Sequence, residues 1–529
     1  VTPNSGTVLS GLLREQARKR TNAEYVRFLG GRAATFGETD SEVDALAAWL
    51  TKREVRSGDR VAILLPNRFE FLVTWFATNR LGAIEVPLNV YLRGAALAHQ
   101  LTLTTPRVLV TDLAGWQAVL AAGTEFPPTD VLLVDEGGPS NTMAYAEAVA
   151  WGRNQGQRQE QSSFSETAAI LFTSGTTGRP KGVMASHQYI RTTAENWVRH
   201  TECTSTDTLF NPLPLFHVNA QFLTAIPPLI TGCRAVLAST FSASAFWSQV
   251  SDNDVTIFNY HSSVLAILLR TWPSTVPQHS LRLGMGAGAA ERDWLEFEER
   301  TGVPLVEAYG LTECATVTAM DLRTRRPGSC GLPVNGYDVR VVDENDAELP
   351  AGEVGQIVVR PRSAFLGFSG YWGDPSATVK ACRNFWFHTG DLGSMDGDDY
   401  LRFVDRRSDA IRRRGENISS TEVEAAVREY PGVVDCAVVA VPSELGEDEV
   451  MVVVEHHRGG APRPAELLRY LYPRLPYFAV PRYILTTEDL PRNASRRVLK
   501  AGLRSAKVRA AAWDGGAVLA EMEQTVGRR

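Results

Sequence analysis

The segment TSGTTGRPKG, Thr173 to Gly182, carries hydroxyls, a lysine and three glycines in ten residues. Glycine lets a backbone turn several N–H groups toward one point, and hydroxyls and an ammonium add donors, so the guest such a loop suits is an anion with many oxygens. A polyphosphate has that shape. The spacing differs from G-x-x-x-x-G-K-[ST], because Pro180 precedes Lys181 and no helix starts after the lysine. A hairpin turn draws on the same residues, so the loop alone leaves both readings open.

Four further segments offer reactive groups. NPLPLFHVNAQ, Asn211 to Gln221, ends an apolar strand in His217, Asn219 and Gln221. EAYGLTE, Glu307 to Glu313, sets Thr312 and a carboxylate beside a glycine turn. HTGDLG, His388 to Gly393, presents Asp391 on a glycine loop, either as an Asx turn or as an acceptor for a ribose diol. DRRSDAIRRRGENISSTEVE, from Asp405 to Glu424, is a charge run that by itself reads as a solvated face.

The elements that must hold these groups alternate. VAILLP, a helical FEFLVTWFATNRLGA and EVPLN read as strand, helix, strand; RVLVTD, VLLVDE, RAVLAS and VTIFNY continue the layering, with a helix from Ser262 to Arg270. Ala168 to Phe172 reads as a buried strand before the glycine loop. Gly182 to Met184 is extended after it, and Ser186 can cap a helix through His200, so the loop joins two strands. From Gly336 the texture becomes an antiparallel meander, and after the charged stretch at 404–409 a small α/β unit follows. Its elements are a helix from Ser420 to Glu429, strands CAVVAV and EVMVVVEH, and a helix from Ala465 to Tyr472. The tail after Arg504 reads as a frayed helix. The expected fold class is α/β: a large N-terminal domain of layered α/β subdomains plus a β-rich subdomain over 1–405, with a small mobile α+β C-terminal domain over 406–529.

Composition narrows the function classes. With 529 residues, 44% hydrophobic and 22% charged, the chain has an ordinary globular balance and room for more than one core. A net charge of −6 with scattered basic residues gives no nucleic-acid footprint, which leaves a small molecule as the expected partner. Cys203, Cys233, Cys314, Cys330, Cys382 and Cys436 are widely spaced and suggest neither zinc nor a disulfide framework, which suits a cytoplasmic setting. No apolar run approaches the ~20 residues of a membrane span, and the first residues do not read as a signal peptide. Oligomeric state is not legible. Lysine is rare: Lys19, Lys52, Lys181, Lys380, Lys500 and Lys507 are the only ones among 54 basic residues, which marks Lys181 out.

In this order and at this spacing the motifs resemble the adenylate-forming superfamily of acyl-CoA synthetases, adenylation domains and luciferases, from about Leu9 to Leu503. The resemblance implies ATP, Mg²⁺ and, as second substrate, CoA, with a small acid and an acceptor as partners. It makes Thr173, Ser174, Gly175, Thr176, Thr177 and Lys181 a phosphate loop. Gly286, Ala287, Gly288, Glu307, Ala308 and Tyr309 enclose adenine, with Gly310 and Thr312 adjoining, Glu313 is linked to Mg²⁺, and Asp391 and Arg406 hold ribose. Ser408 becomes a hinge, and Gly415, Glu416 and Asn417 the thioester side.

His217, Asn219, Gln221 and Leu311 fall on the acid pocket. FHVNAQ and SASAFWSQV loosely resemble the crotonobetaine/carnitine-CoA ligase branch, but Asn219 replaces that branch's aspartate, which takes away the counter-charge for a quaternary ammonium and favours a small or aromatic polar acid. Near the C-terminus the family pattern Pro-x-Thr-x-x-Gly-Lys is replaced by PRNASRRVLK. Alignment on Leu490-Pro491 and Val498-Leu499 puts Arg496 on the glycine and Arg497 on the catalytic lysine, while Lys500 falls three residues too late. Two alternatives follow: activation of another oxyacid, such as nitrite, with transfer to an aromatic amine as in a diazotase, or nucleotide binding without turnover.

Overall fold

The computed structural model describes residues 8–123, 128, 130–156, 162–173, 180–406, 411–413, 416–418, 420–442, 448–475, 479–493 and 498–526, and only the backbone at 263, 406, 412, 416, 417, 422 and 523–526. Ser174, Gly175, Thr176, Thr177, Ser408, Gly415, Arg496 and Arg497 lie outside the described residues. The chain forms two compact units, one of Val1–Val339, Val359–His388 and Asp399–Leu401, the other of Arg340–Val358, Thr389–Asp398 and Arg402–Arg529.

The first unit contains two large sheets whose strands are the apolar runs of the sequence. One has seven strands in the order Met143–Ala144, Asp130–Leu133, Val108–Thr111, Arg60–Leu64, Ile84–Pro87, Thr167–Phe172 and Gly182–Ser186; only the last pair is antiparallel. Strands covered on both faces read as continuous Val/Ile/Leu runs, which is why Val61 to Leu64 show no polar alternation and are almost wholly buried. The other sheet has nine strands, and its central members Leu305–Leu311, Leu283–Ala287, Ile257–His261, Thr208–Asn211, Arg234–Leu237 and Glu24–Phe28 are parallel. One core cluster joins both sheets, with Val61, Ile63 and Val110 from the first and Val26, Ala235 and Leu237 from the second.

A buried cation ties three helices of this unit together. Arg80 is fully buried at the end of helix Phe69–Arg80 and reaches Asp40 at 2.6 Å and Asp44 at 2.8 Å on helix Phe36–Lys52, while Arg14 of helix Leu9–Lys19 meets the same Asp44 at 2.5 Å. Removing Arg80 would leave two buried carboxylates short of a partner.

In the second unit the strands Val433–Pro442, Asp448–His456, Tyr483–Thr487 and Trp513–Asp514 form one sheet. Alternation along these strands sends Val438, Val452 and Ile484 into one core, with Val427 and Leu468, and Val439, Met451 and Tyr483 into another, with Leu490 and Leu503. The tail is helical over Ala506–Ala511 and Gly516–Val526, and departs from the expected frayed helix only in the short strand between them. Trp513–Asp514 pairs with Tyr483–Ile484, and Trp513 packs on the first core, a long-range contact that an Ala/Gly/Arg-rich composition does not signal.

Candidate active site

Parallel strands place their carboxyl ends along one edge of a sheet, where ligands of open α/β sheets bind. In the nine-stranded sheet those ends are Asn211, His261, Ala287 and Leu311. The motif segments Asn211–Gln221 and Glu307–Glu313 both reach this edge.

Gly286 pairs with Tyr260 on one neighbouring strand and with Glu307 on the other. A Cβ on Gly286 would lie 2.3 Å from the Tyr260 ring, so glycine is required for that ring to pass beneath the strand. Gly288 has φ +73°, a left-handed backbone that glycine adopts without strain. Glu307 is buried and accepts from the Ala289 N–H at 2.7 Å and the Tyr260 hydroxyl at 3.4 Å. Burial pushes its carboxyl up to about 7, against the lowering pull of the Ala289 and Gly288 N–H groups and the Tyr260 hydroxyl.

Between its ordinary 4.5 and about 7, the folded protein keeps a proton on Glu307 that the unfolded chain has released, so this group's contribution to stability falls as pH rises through that window. Glu307→Gln stays neutral throughout. The variant is expected to lose less stability than wild type between about pH 5 and about pH 8, measured by denaturant unfolding. Identical losses would mean that Glu307 titrates like an exposed carboxylate.

His217 lies against Phe216 with ring centroids 4.6 Å apart and the ring planes tilted by 57°, and burial together with nearby His261 holds its imidazole down at about 4. It is a neutral ring at physiological pH. The Asn219 side-chain oxygen accepts from Asn211 at 2.8 Å; the same Asn211 amide donates to Thr224, which also takes a hydrogen bond from Asn259 at 2.7 Å. Gln221, expected beside Asn219 on the pocket wall, is instead fully buried and donates to Glu85 at 2.9 Å. Residues two apart on a helical backbone face different ways, and here a π-turn over Gln221–Ala225 turns the second one inward.

Strands Thr167–Phe172 and Gly182–Ser186 form an antiparallel hairpin, and the Thr173 N–H to Lys181 carbonyl bond of 3.1 Å joins the two ends of the segment between them. Ser186 then caps helix His187–Thr201 by accepting from the Tyr189 N–H, as the sequence suggests. Glu313 occupies a two-residue turn with Thr312, closed by the Leu311–Cys314 pair, and is buried. At Gly310 a Cβ would meet the Ala315 carbonyl oxygen at 2.1 Å, so this tight hairpin requires glycine.

Tyr371, which sequence reasoning missed, links the two motifs. Its hydroxyl donates to Glu313 Oε1 at 2.7 Å, and the Lys181 ammonium lies 4.7 Å from its ring centroid. Burial first, and then Glu313, push its phenol well above the ordinary value, so it remains a donor. The one sequence signal was an aromatic following two residues that favour turns, in FSGYWGDP.

In the second unit Asp391 is buried on strand Phe387–Met395, and its N–H donates to Thr389 Oγ1 at 3.1 Å. Arg406 ends strand Leu401–Arg406.

Residues 13–372 match the family described as AMP-binding enzyme, and residues 422–497 match the AMP-binding enzyme C-terminal domain. The chain belongs to the AMP-binding enzyme family. Among the relatives of this AMP-binding enzyme, a feruloyl-CoA synthase from Amycolatopsis is 34% identical over 92% of the chain and 97% of its own length. A crotonobetaine/carnitine–CoA ligase from Salmonella paratyphi B is 31% identical over 89% and 93%. A crystal structure of an anthranilate CoA ligase in complex with anthranoyl-AMP superposes with a TM-score of 0.86 at 26% identity, over 95% of this chain and 98% of that one. The AMP-binding enzyme is an AMP-forming ligase of the acyl-CoA synthetase type with the α/β fold of adenylate-forming ligases.

Lys500, which the alignment places three residues too late, is engaged elsewhere. Lys500 lies 2.7 Å from Glu424 and donates to Ser420 at 2.6 Å, on a side chain only 16% exposed. That pair is part of the packing of the second unit. The segment before it is closed at its base by the Arg492–Val498 bridge and the Leu499 N–H to Pro491 carbonyl bond, the two points on which the alignment of Arg496 and Arg497 rests.

Proposed function

We propose that this AMP-binding enzyme activates a small or aromatic polar carboxylic acid as its acyl-AMP and then transfers the acyl group to CoA. The observation that carries the choice of acid is the neutral His217 ring, tilted against Phe216 and two residues before Asn219, whose carboxamide oxygen is held by Asn211. Such a wall offers an aromatic face and hydrogen bonds without a charge. The relatives that act on ferulate and anthranilate support the same class.

In the first half-reaction a carboxylate oxygen bonds to the α-phosphorus while the bond from that phosphorus to the β-bridging oxygen breaks, and pyrophosphate leaves with the electron pair. Lys181 and the hydroxyls of Thr173, Ser174, Thr176 and Thr177 supply donors to the charge that grows on the departing phosphates. Glu313 fits Mg²⁺: it is a buried hard-oxygen donor, its Oε1 already fixed by Tyr371, and Mg²⁺ typically takes one or two carboxylates and completes its shell from phosphates and water. When bound there, Mg²⁺ would neutralise phosphate charge. Gly286, Ala287, Gly288, Glu307, Ala308 and Tyr309 enclose adenine, with Gly310, Thr312 and Leu311 alongside, and Asp391 with Arg406 holds the ribose. Arg497 takes the place of the family's lysine at the α-phosphate. Rotation about Ser408 then brings Gly415, Glu416 and Asn417 to the CoA thiol, whose sulfur bonds to the acyl carbon as AMP leaves.

The test is release of AMP and pyrophosphate across a panel of hydroxycinnamic, benzoic, short aliphatic and fatty acids, each with CoA, plus nitrite with an aromatic amine. Aromatic acids with CoA are expected to give the highest kcat/KM. A preference for long fatty acids, or AMP release only with nitrite and amine, would overturn the reading.

A further inference from the structure

We infer that Tyr371 is a positioning residue that sets the phosphate-loop lysine and the metal-side glutamate in one arrangement before the nucleotide arrives. The inference rests on the adenylation reading above and goes beyond it by adding a residue that no motif of the sequence analysis contains.

The two groups it joins are far apart in sequence: Lys181, Glu313 and Tyr371 come from three different segments of the first unit. Tyr371 uses a different part of itself for each. Its hydroxyl donates to Glu313 Oε1 at 2.7 Å, and its ring face receives the Lys181 ammonium at 4.7 Å from the centroid. A phenol hydrogen-bonded to a carboxylate gains electron density, which strengthens the attraction of the ring face for a cation. The ring covers one face of the ammonium and leaves its other N–H donors for a phosphate.

Tyr371 is itself fixed. Residues 369–372 run along the strand that leaves the phosphate loop: the Ser369 N–H donates to Met184 O at 2.9 Å, the Met184 N–H to Gly370 O at 3.0 Å, and the Trp372 N–H to Gly182 O at 2.7 Å. Val183 and Tyr371 form an antiparallel bridge, and the Tyr371 N–H donates to Thr378 Oγ1 at 2.9 Å. Gly370 has φ +124°, and a Cβ there would lie 3.2 Å from the Thr378 side chain. The ring is thus held by backbone hydrogen bonds one residue from a conformation that favours glycine. That is the support a site needs when its reacting groups must be placed closely.

The experiment separates the two uses of the side chain. Tyr371→Phe keeps the ring and loses the hydroxyl, whereas Tyr371→Leu loses both. Two binding measurements need no turnover: affinity for ATP in metal-free buffer by calorimetry, and affinity of the complex with an α,β-methylene ATP analogue for Mn²⁺ by electron paramagnetic resonance. Unfolding midpoints control for folding. Partners that orient a metal ligand typically contribute about 10–100-fold in metal affinity, so Tyr371→Phe is expected to weaken Mn²⁺ binding at least about tenfold while metal-free ATP affinity stays within about twofold. Tyr371→Leu is expected to weaken metal-free ATP binding as well, by about threefold or more, as the lysine loses its ring. Wild-type Mn²⁺ affinity in Tyr371→Phe overturns the inference. So does an equal loss of metal-free ATP affinity in both variants, which would mark a merely structural role. If the wild-type enzyme formed no adenylate from any acid, the functional reading would fall instead, and the binding measurements would still decide the role of Tyr371.

Discussion

Lys181→Ala is expected to slow pyrophosphate release with the true acid by about 10²–10³-fold, the usual loss when one donor aimed at developing charge is removed. The effect belongs to chemistry rather than folding. Lys181 is exposed, and the contact that closes its loop is made by its backbone carbonyl, which alanine keeps. The unfolding midpoint should therefore stay close to wild type while the rate collapses. Lys181→Arg should recover part of the rate, since it keeps the charge but replaces a compact ammonium with a planar fork. Normal turnover in Lys181→Ala would sink the phosphate-loop assignment.

Arg497→Ala is expected to cost about 10²-fold or more in adenylate formation, yet leave thioester formation from supplied acyl-AMP near wild type. Family resemblance places a cation at the α-phosphate in the first half-reaction only, and the alternative donor is already committed, because Lys500 is paired with Glu424 and Ser420. Arginine keeps the charge but spreads its donors over a wider plane, and Arg496 takes the place of a glycine that adopts φ > 0 freely. The double variant Arg496→Gly/Arg497→Lys decides between two histories. If the replacement is drift, it works as well as wild type or faster with an aromatic acid and CoA. If the segment has been repurposed, activity falls in the lysine forms. Equal rates for Arg497→Ala and wild type would make Arg497 a solvated bystander.

The sequence by itself determined the layered α/β architecture, because strands buried on both faces must be continuous apolar runs and helices must cap and repeat in a way a linear reading detects. Val61 to Leu64, the Ser186 cap and the helix from Ser262 to Arg270 all appear where local pattern places them. It also determined the donor-rich loop and, through the resemblance, the family to which the chain belongs.

The tertiary structure decided what depends on pairs distant along the chain. That Gln221 turns to Glu85 while Asn219 joins Asn211 follows from a π-turn and a strand 136 residues away, neither of which leaves a periodic signal. Trp513 becomes a strand only because Tyr483–Ile484 offers an edge, and Lys500 is spent on an ion pair only because Glu424 lies across the fold. Tyr371 belongs to no motif of the sequence, and only the packing of its segment against strand Gly182–Ser186 gives its hydroxyl to Glu313 and its ring to Lys181. Hydrophobic burial follows local pattern, whereas a polar contact is fixed by which distant partner the fold brings within about 3 Å.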